Sequence, residues 1–188
     1  MNIKLDYYSF LLDEEFIQEI KRDLKNNSIE LMVNDKSDVP QMGLDEIISS
    51  SLMYFTPEII NGFTSGVLTN AAYDALKNSI ILILCKVKGK KYNKLSAGGK
   101  IEEKNATIGI NFKKDGDSFY LNLPDDLSSE LQSKCIDKAF ELMSTPEKSS
   151  DADFSFDYNT IVGSFNSQTQ EWEVIDIHEI MQKMKQNQ

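Results

Sequence analysis

Few residues in this chain are of the types that make or break bonds. His178 is its one histidine, with Asp176 two residues before it. An imidazole oriented by a carboxylate activates a nucleophile, which would have to be Cys85 or Cys135 brought from elsewhere in the chain. A lone histidine also removes multi-histidine zinc sites. A solvent-facing residue at the start of a helix is the simpler account of His178. Both cysteines sit in apolar surroundings, Cys85 inside the run Ile80–Cys85 and Cys135 on a helical apolar stripe. They are expected to be small core residues rather than nucleophiles.

The acids form two groups, Asp151, Asp153 and Asp157, and the pair Asp125 and Asp126. On a strand the first three would share one face, an arrangement a divalent cation can use. Calcium loops need a glycine that is missing here, so solvated acids and helix capping explain them more simply. A carboxylate- or metal-dependent hydrolase is kept as an alternative.

Lysine is concentrated in one place. Between Lys86 and Lys104 seven lysines stand against Glu102 and Glu103, while the whole chain has a net charge of −10. Gly98-Gly99-Lys100 fails as a phosphate-binding P-loop, because Ile101 follows the lysine and the first glycine is absent. Lys90, Lys91, Lys94 and Lys100 nevertheless make this segment the one place that welcomes an anion such as a phosphorylated small ligand. The simpler account is a solvated, flexible lysine-rich loop. Trp172, between Glu171 and Glu173, is either core packing or an interface anchor ringed by charge.

The elements that must position these residues follow from periodicity and punctuation. Residues 2–12 predict a strand. Asp13 caps a helix carrying Phe16, Ile17, Ile20 and Leu24 at helical spacing. Residues 29–33 predict a second strand, 34–43 a polar loop, and 44–55 a short helix. Thr56-Pro57-Glu58 is a helix start, and small residues along the helix to Leu76 suit close approach to another element. The isoleucine-rich stretch SIILILCKVKG favours a buried strand, followed by a lysine-rich loop over 89–105.

Asp115-Gly116 is a hairpin turn. Pairing outward from it aligns Phe112 with Phe119, Ile110 with Leu121 and Ile108 with Leu123. Pro124-Asp125-Asp126 opens a helix with the stripe Leu127, Leu131, Cys135, Ala139 and Leu142. Strands over 154–158, 160–165 and 171–177 and a final helix over 178–185 complete the chain. The expected class is α+β: a mainly antiparallel sheet with about four or five helices, in one domain spanning 1–188. The competing division is 1–88 and 105–188, joined by the lysine-rich loop 89–104.

Composition sets the context. Hydrophobic content of 40% and charged content of 27% fit a globular chain. The N-terminus lacks the apolar run of about 7–15 residues of a secretory signal, and no apolar run approaches the roughly 18 residues of a membrane span. Two cysteines without a CxxC pair suit a reducing compartment, so the cytoplasm is expected. No cofactor is expected. The acidic body repels duplex nucleic acid and attracts basic proteins. The leading expectation is an interaction, inhibitor or accessory protein, of an immunity or bacterial-defence kind, whose acidic surface docks on a basic partner. The alternatives are the hydrolase and a sensor binding a phosphorylated ligand at the lysine-rich loop.

Overall fold

The computed structural model describes residues 1–37, 49–95, 101–114, 116–145 and 160–177. Four helices and nine strands occupy them. β1 is Asn2–Tyr7, α1 Glu14–Asn26, β2 Glu30–Asp35, β3 Ser51–Phe55, α2 Pro57–Ser65 and α3 Asn70–Val87. β4 is Lys91–Leu95, β5 Ile101–Asn105, β6 Ile108–Lys114 and β7 Asp117–Leu123. α4 is Ser129–Ser144, β8 Thr160–Asn166 and β9 Glu171–Asp176.

Seven strands form one sheet in the order β2-β1-β3-β6-β7-β8-β9, and β4 and β5 form a separate ribbon. The sheet is mixed, which corrects the expectation of a mainly antiparallel one. β1–β2, β3–β6 and β7–β8 are parallel; β1–β3, β6–β7 and β8–β9 are antiparallel. The reason is the helices: each parallel pair is joined through a helical crossover, α1, then α2 with α3, then α4. A row runs in register across all seven strands through Val33, Leu5, Met53, Ile110, Leu121, Gly163 and Val174. This row and its neighbours, Ile3, Phe55 and Phe112, are mostly buried. α1 packs on α3, and both α2 and α3 pack on α4; α2, α3 and α4 also touch β1, β6 and β9, so the helices form one layer over this face. The opposite face carries Lys4, Asp6, Tyr54, Asn111 and Tyr120.

Local signals explain most boundaries. Asp13 accepts from the Phe16 amide at 3.0 Å, and Ile17, Ile20 and Leu24 are buried beneath α1. The hairpin register is as the turn predicts, with Phe112 opposite Phe119 and their rings stacked at 4.8 Å, and Gly116 holds φ +85°. Four departures have physical causes. Residues 51–55, expected to be helical, form β3, because this apolar stretch fills the gap between β1 and β6. The helix expected from Thr56 to Leu76 breaks at Gly66, which takes the left-handed φ of +67°, and restarts behind Thr69, whose side chain caps the Ala72 amide. The isoleucine-rich stretch is the second half of α3, not a strand. Its Ile80, Ile83, Leu84 and Val87 lie on one buried helical face while Leu82 faces solvent. The lysine-rich loop is largely the β4–β5 ribbon. The expected strand over 154–158 and final helix over 178–185 lie outside the described residues. No helix among the described residues is long and apolar enough to cross a membrane.

Candidate functional site

β1 ends at Tyr7, and the chain turns tightly, with the Leu11 and Leu12 amides both donating to the Tyr8 carbonyl. Leu11 and Leu12 go into the core, which leaves Phe10 pointing outward at 57% exposure. The ribbon arrives at this turn from α3. Gly89 takes φ +72°, which lets the chain leave the helix sharply, and the Lys90 amide donates to the Val87 carbonyl. Lys90 Nζ then donates to the Leu11 carbonyl at 2.6 Å, tying the ribbon to the turn. Tyr8 stacks on two rings, Phe10 at 5.1 Å and Tyr92 of β4 at 6.0 Å, each inclined at 27°. Tyr92 stands opposite Lys104 in the ribbon register.

Two of the lysines around this ladder are held in ion pairs. Lys91 pairs with Glu103 at 2.5 Å on the exposed ribbon surface. Lys86 pairs with Asp13 at 2.8 Å and lies over the Phe16 ring. That ammonium and the Phe16 amide hold the Asp13 carboxyl below the usual range. Lys88 is exposed. Lys94 sits in β4 in register with Glu102, and Lys100 lies outside the described residues.

Beside the turn, Ser9 and Ser37 join the ends of β1 and β2. Their hydroxyls are 2.8 Å apart, and Ser37 Oγ donates to Asp35 at 2.6 Å, which helps hold that carboxyl low. On the open face of the sheet Asp6 is only 4% exposed yet charged. Burial alone would push its carboxyl up. Hydrogen bonds from Lys36, Lys4 and Asn34 together outweigh burial and hold it below the usual carboxylate range. Tyr54 also donates to it, at 3.1 Å, and burial with that neighbouring charge pushes the phenol well up. Asp6 is thus a satisfied anchor with four donors.

The other predicted residues are placed elsewhere. The Trp172 indole Nε1 donates to the Cys135 carbonyl at 3.1 Å, so the ring packs under α4 rather than standing out. Glu171 pairs with Lys138 and Glu173 accepts from Asn166, both on β9, which among the described residues pairs only with β8. Cys135 is buried, and burial pushes its thiol up to about 12. Cys85 is exposed, against the expectation of a core residue, because the helical turn of α3 rotates it away from Ile83 and Leu84. Asp125 and Asp126 precede α4 near the surface. His178, Asp151, Asp153, Asp157, Gly98 and Gly99 lie outside the described residues. Among the described residues no three His, Cys, Asp or Glu side chains are grouped to hold a metal.

A shallow cleft of about 290 Å3 opens among α2, α3 and α4. Tyr73 and Lys77 both donate to Asp137 there, at 2.7 and 2.6 Å, which joins α3 to α4. Neither the cleft nor the Asp6 cluster was visible in the sequence, since each assembles residues from separate elements. The aromatic ladder left a partial trace, the run Tyr7-Tyr8-Ser9-Phe10 where a strand should stop. Comparison with family models, with curated proteins and with solved structures finds no match for this chain.

Proposed function

We propose that the protein is a binding module that holds a phosphorylated ligand on its lysine-rich β4–β5 ribbon. The observation that carries this reading is the fixed seat of the ribbon: Lys90 on the Leu11 carbonyl and Tyr92 on Tyr8 hold a cation-bearing hairpin against the body. A ribbon seated in this way is held against the body before a ligand arrives, and less ordering entropy is lost on binding. The Lys91–Glu103 pair is exposed, where an ion pair contributes little, so a phosphate competes with the glutamate at small cost. The acidic remainder of the chain confines anion binding to this one surface.

The test is thermal stabilisation by inorganic tripolyphosphate at low ionic strength. Melting of the wild type should rise with tripolyphosphate concentration, and the rise should vanish in Lys88→Ala/Lys91→Ala/Lys94→Ala. A wild-type melting temperature indifferent to tripolyphosphate sinks the proposal.

A second reading, docking of a basic protein segment, is supported by β9. Among the described residues this strand pairs only with β8, and it exposes Val174 and Ile175 beside Glu171 and Glu173. An extended lysine- or arginine-bearing segment adding to that edge satisfies both the backbone and the charge. A host protein bound at low salt, released at high salt and lost with Glu173→Lys supports it; binding unchanged by that substitution counts against it.

A further inference from the structure

We infer that the ligand of the ribbon carries an aromatic base, so that its chemical class is a nucleotide or a single-stranded nucleic acid. This rests on the phosphate-binding reading above and adds a second contact to it. The contact is the outer face of Phe10. Tyr8 stacks on both Tyr92 and Phe10, at centroid distances of 6.0 and 5.1 Å and inclinations of 27°. Tyr8 is buried, whereas Phe10 is 57% exposed. An exposed apolar residue by itself means little. Phe10 differs in being held by a stack, within a turn whose two amide bonds to Tyr8 fix its backbone. Its orientation is set before any ligand arrives.

Charge lies next to that ring. Lys90 Nζ sits on the carbonyl of Leu11, the residue after Phe10, and Lys104 is in register with Tyr92. Lys88 is exposed at the end of α3, just before the ribbon, while Lys91 alternates with Tyr92 along β4 and pairs with Glu103 on the other face. A flat π surface beside a track of lysines is the combination by which proteins hold unpaired bases: stacking takes the base, and the cations follow the phosphates. Stacking needs a base with a free face, which a duplex does not offer along its length. A chain with net charge −10 also repels the dense charge of a duplex beyond the reach of one short ribbon.

Fluorescence anisotropy with a labelled oligothymidylate of about twelve nucleotides tests this, at low salt and then at rising salt. The competitors are thymidine triphosphate, inorganic tripolyphosphate and the same oligonucleotide as a duplex. The variants are Phe10→Ala and Phe10→Trp, each checked for an unchanged circular dichroism melt. The inference predicts salt-sensitive binding of the single strand, weakened about tenfold or more by Phe10→Ala and restored by Phe10→Trp. Tripolyphosphate affinity should be the same in all three proteins. Thymidine triphosphate competing as well as the oligonucleotide identifies a free nucleotide; much weaker competition identifies a strand. If Phe10→Ala binds the oligonucleotide as the wild type does, or the duplex binds equally well, the base is overturned while phosphate binding stands. If neither oligonucleotide nor tripolyphosphate binds, both readings fall.

Discussion

The only tryptophan and the buried cysteine are joined across two elements: Trp172 Nε1 of β9 donates to the Cys135 carbonyl of α4 at 3.1 Å. The indole also packs edge-on against Phe165 of β8 at 5.5 Å. One side chain therefore closes the β8–β9 hairpin onto the helix layer. Trp172→Phe keeps most of the ring contact and removes the donor. It should lower stability by about 0.5–1.5 kcal/mol, the usual net value of one hydrogen bond. Urea unfolding followed by circular dichroism measures it, and unchanged stability would mean that the bond contributes nothing.

The two thiols should behave differently. Cys85 is exposed on α3, while burial pushes the Cys135 thiol up to about 12. Thiolate is the reacting species, so a thiol-selective chromogenic reagent at pH 8 should titrate one group in the native protein. The second should appear only on unfolding. Cys85→Ser should abolish the native signal, and two fast thiols in the wild type would contradict the packing of α4.

Legibility followed the range of the interactions. α1 and the β6–β7 hairpin were readable because a cap, a turn and a period act within a few residues. Residues 51–55 and the second half of α3 were not. Both are short apolar runs, and what separates them is tertiary: Met53 lies between Leu5 and Ile110 in the sheet, whereas Ile80 and Ile83 are buried on one face of a helix. The site shows the same division. The lysine excess could be counted, but the ladder needed Tyr8 and Tyr92, 84 positions apart in the chain, to meet in space. Asp6 was passed over because a charge in a strand is normally solvent-facing, and all its partners but Lys4 come from β2, from β3 and from the residue after β2.

Gly163 is a tight point of the sheet. A Cβ there meets the buried Leu121 side chain and comes within 3.3 Å of the Trp172 ring. Leu121 and Gly163 are register partners across the parallel β7–β8 pair. Gly163→Ala should cost about 1–3 kcal/mol through overpacking, and Gly163→Ala with Leu121→Ala should cost less than the sum of the separate changes. Strict additivity in chemical denaturation would place the two residues apart.

Asp6 makes stability depend on pH in a defined direction. Its folded pKa lies below its ordinary value because hydrogen bonds from Lys36, Lys4 and Asn34 outweigh the cost of burial. The unfolded chain therefore takes up this proton first as pH falls. The stabilisation is complete above the unfolded value, near pH 4, and is lost as pH drops through the lower folded value. Asp6→Asn removes the charge and keeps the shape, leaving Lys4 and Lys36 to turn toward water. The substitution should cost about 1–3 kcal/mol at pH 7, the penalty for breaking a charge-assisted network whose cations can be rehydrated. As pH falls from about 4 through the lower folded value the two should draw together, since protonated Asp6 no longer holds the lysines. Urea denaturation of both proteins between pH 2.5 and 7 measures the gap, and a gap that stays constant over this range would show that Asp6 is not the group responsible.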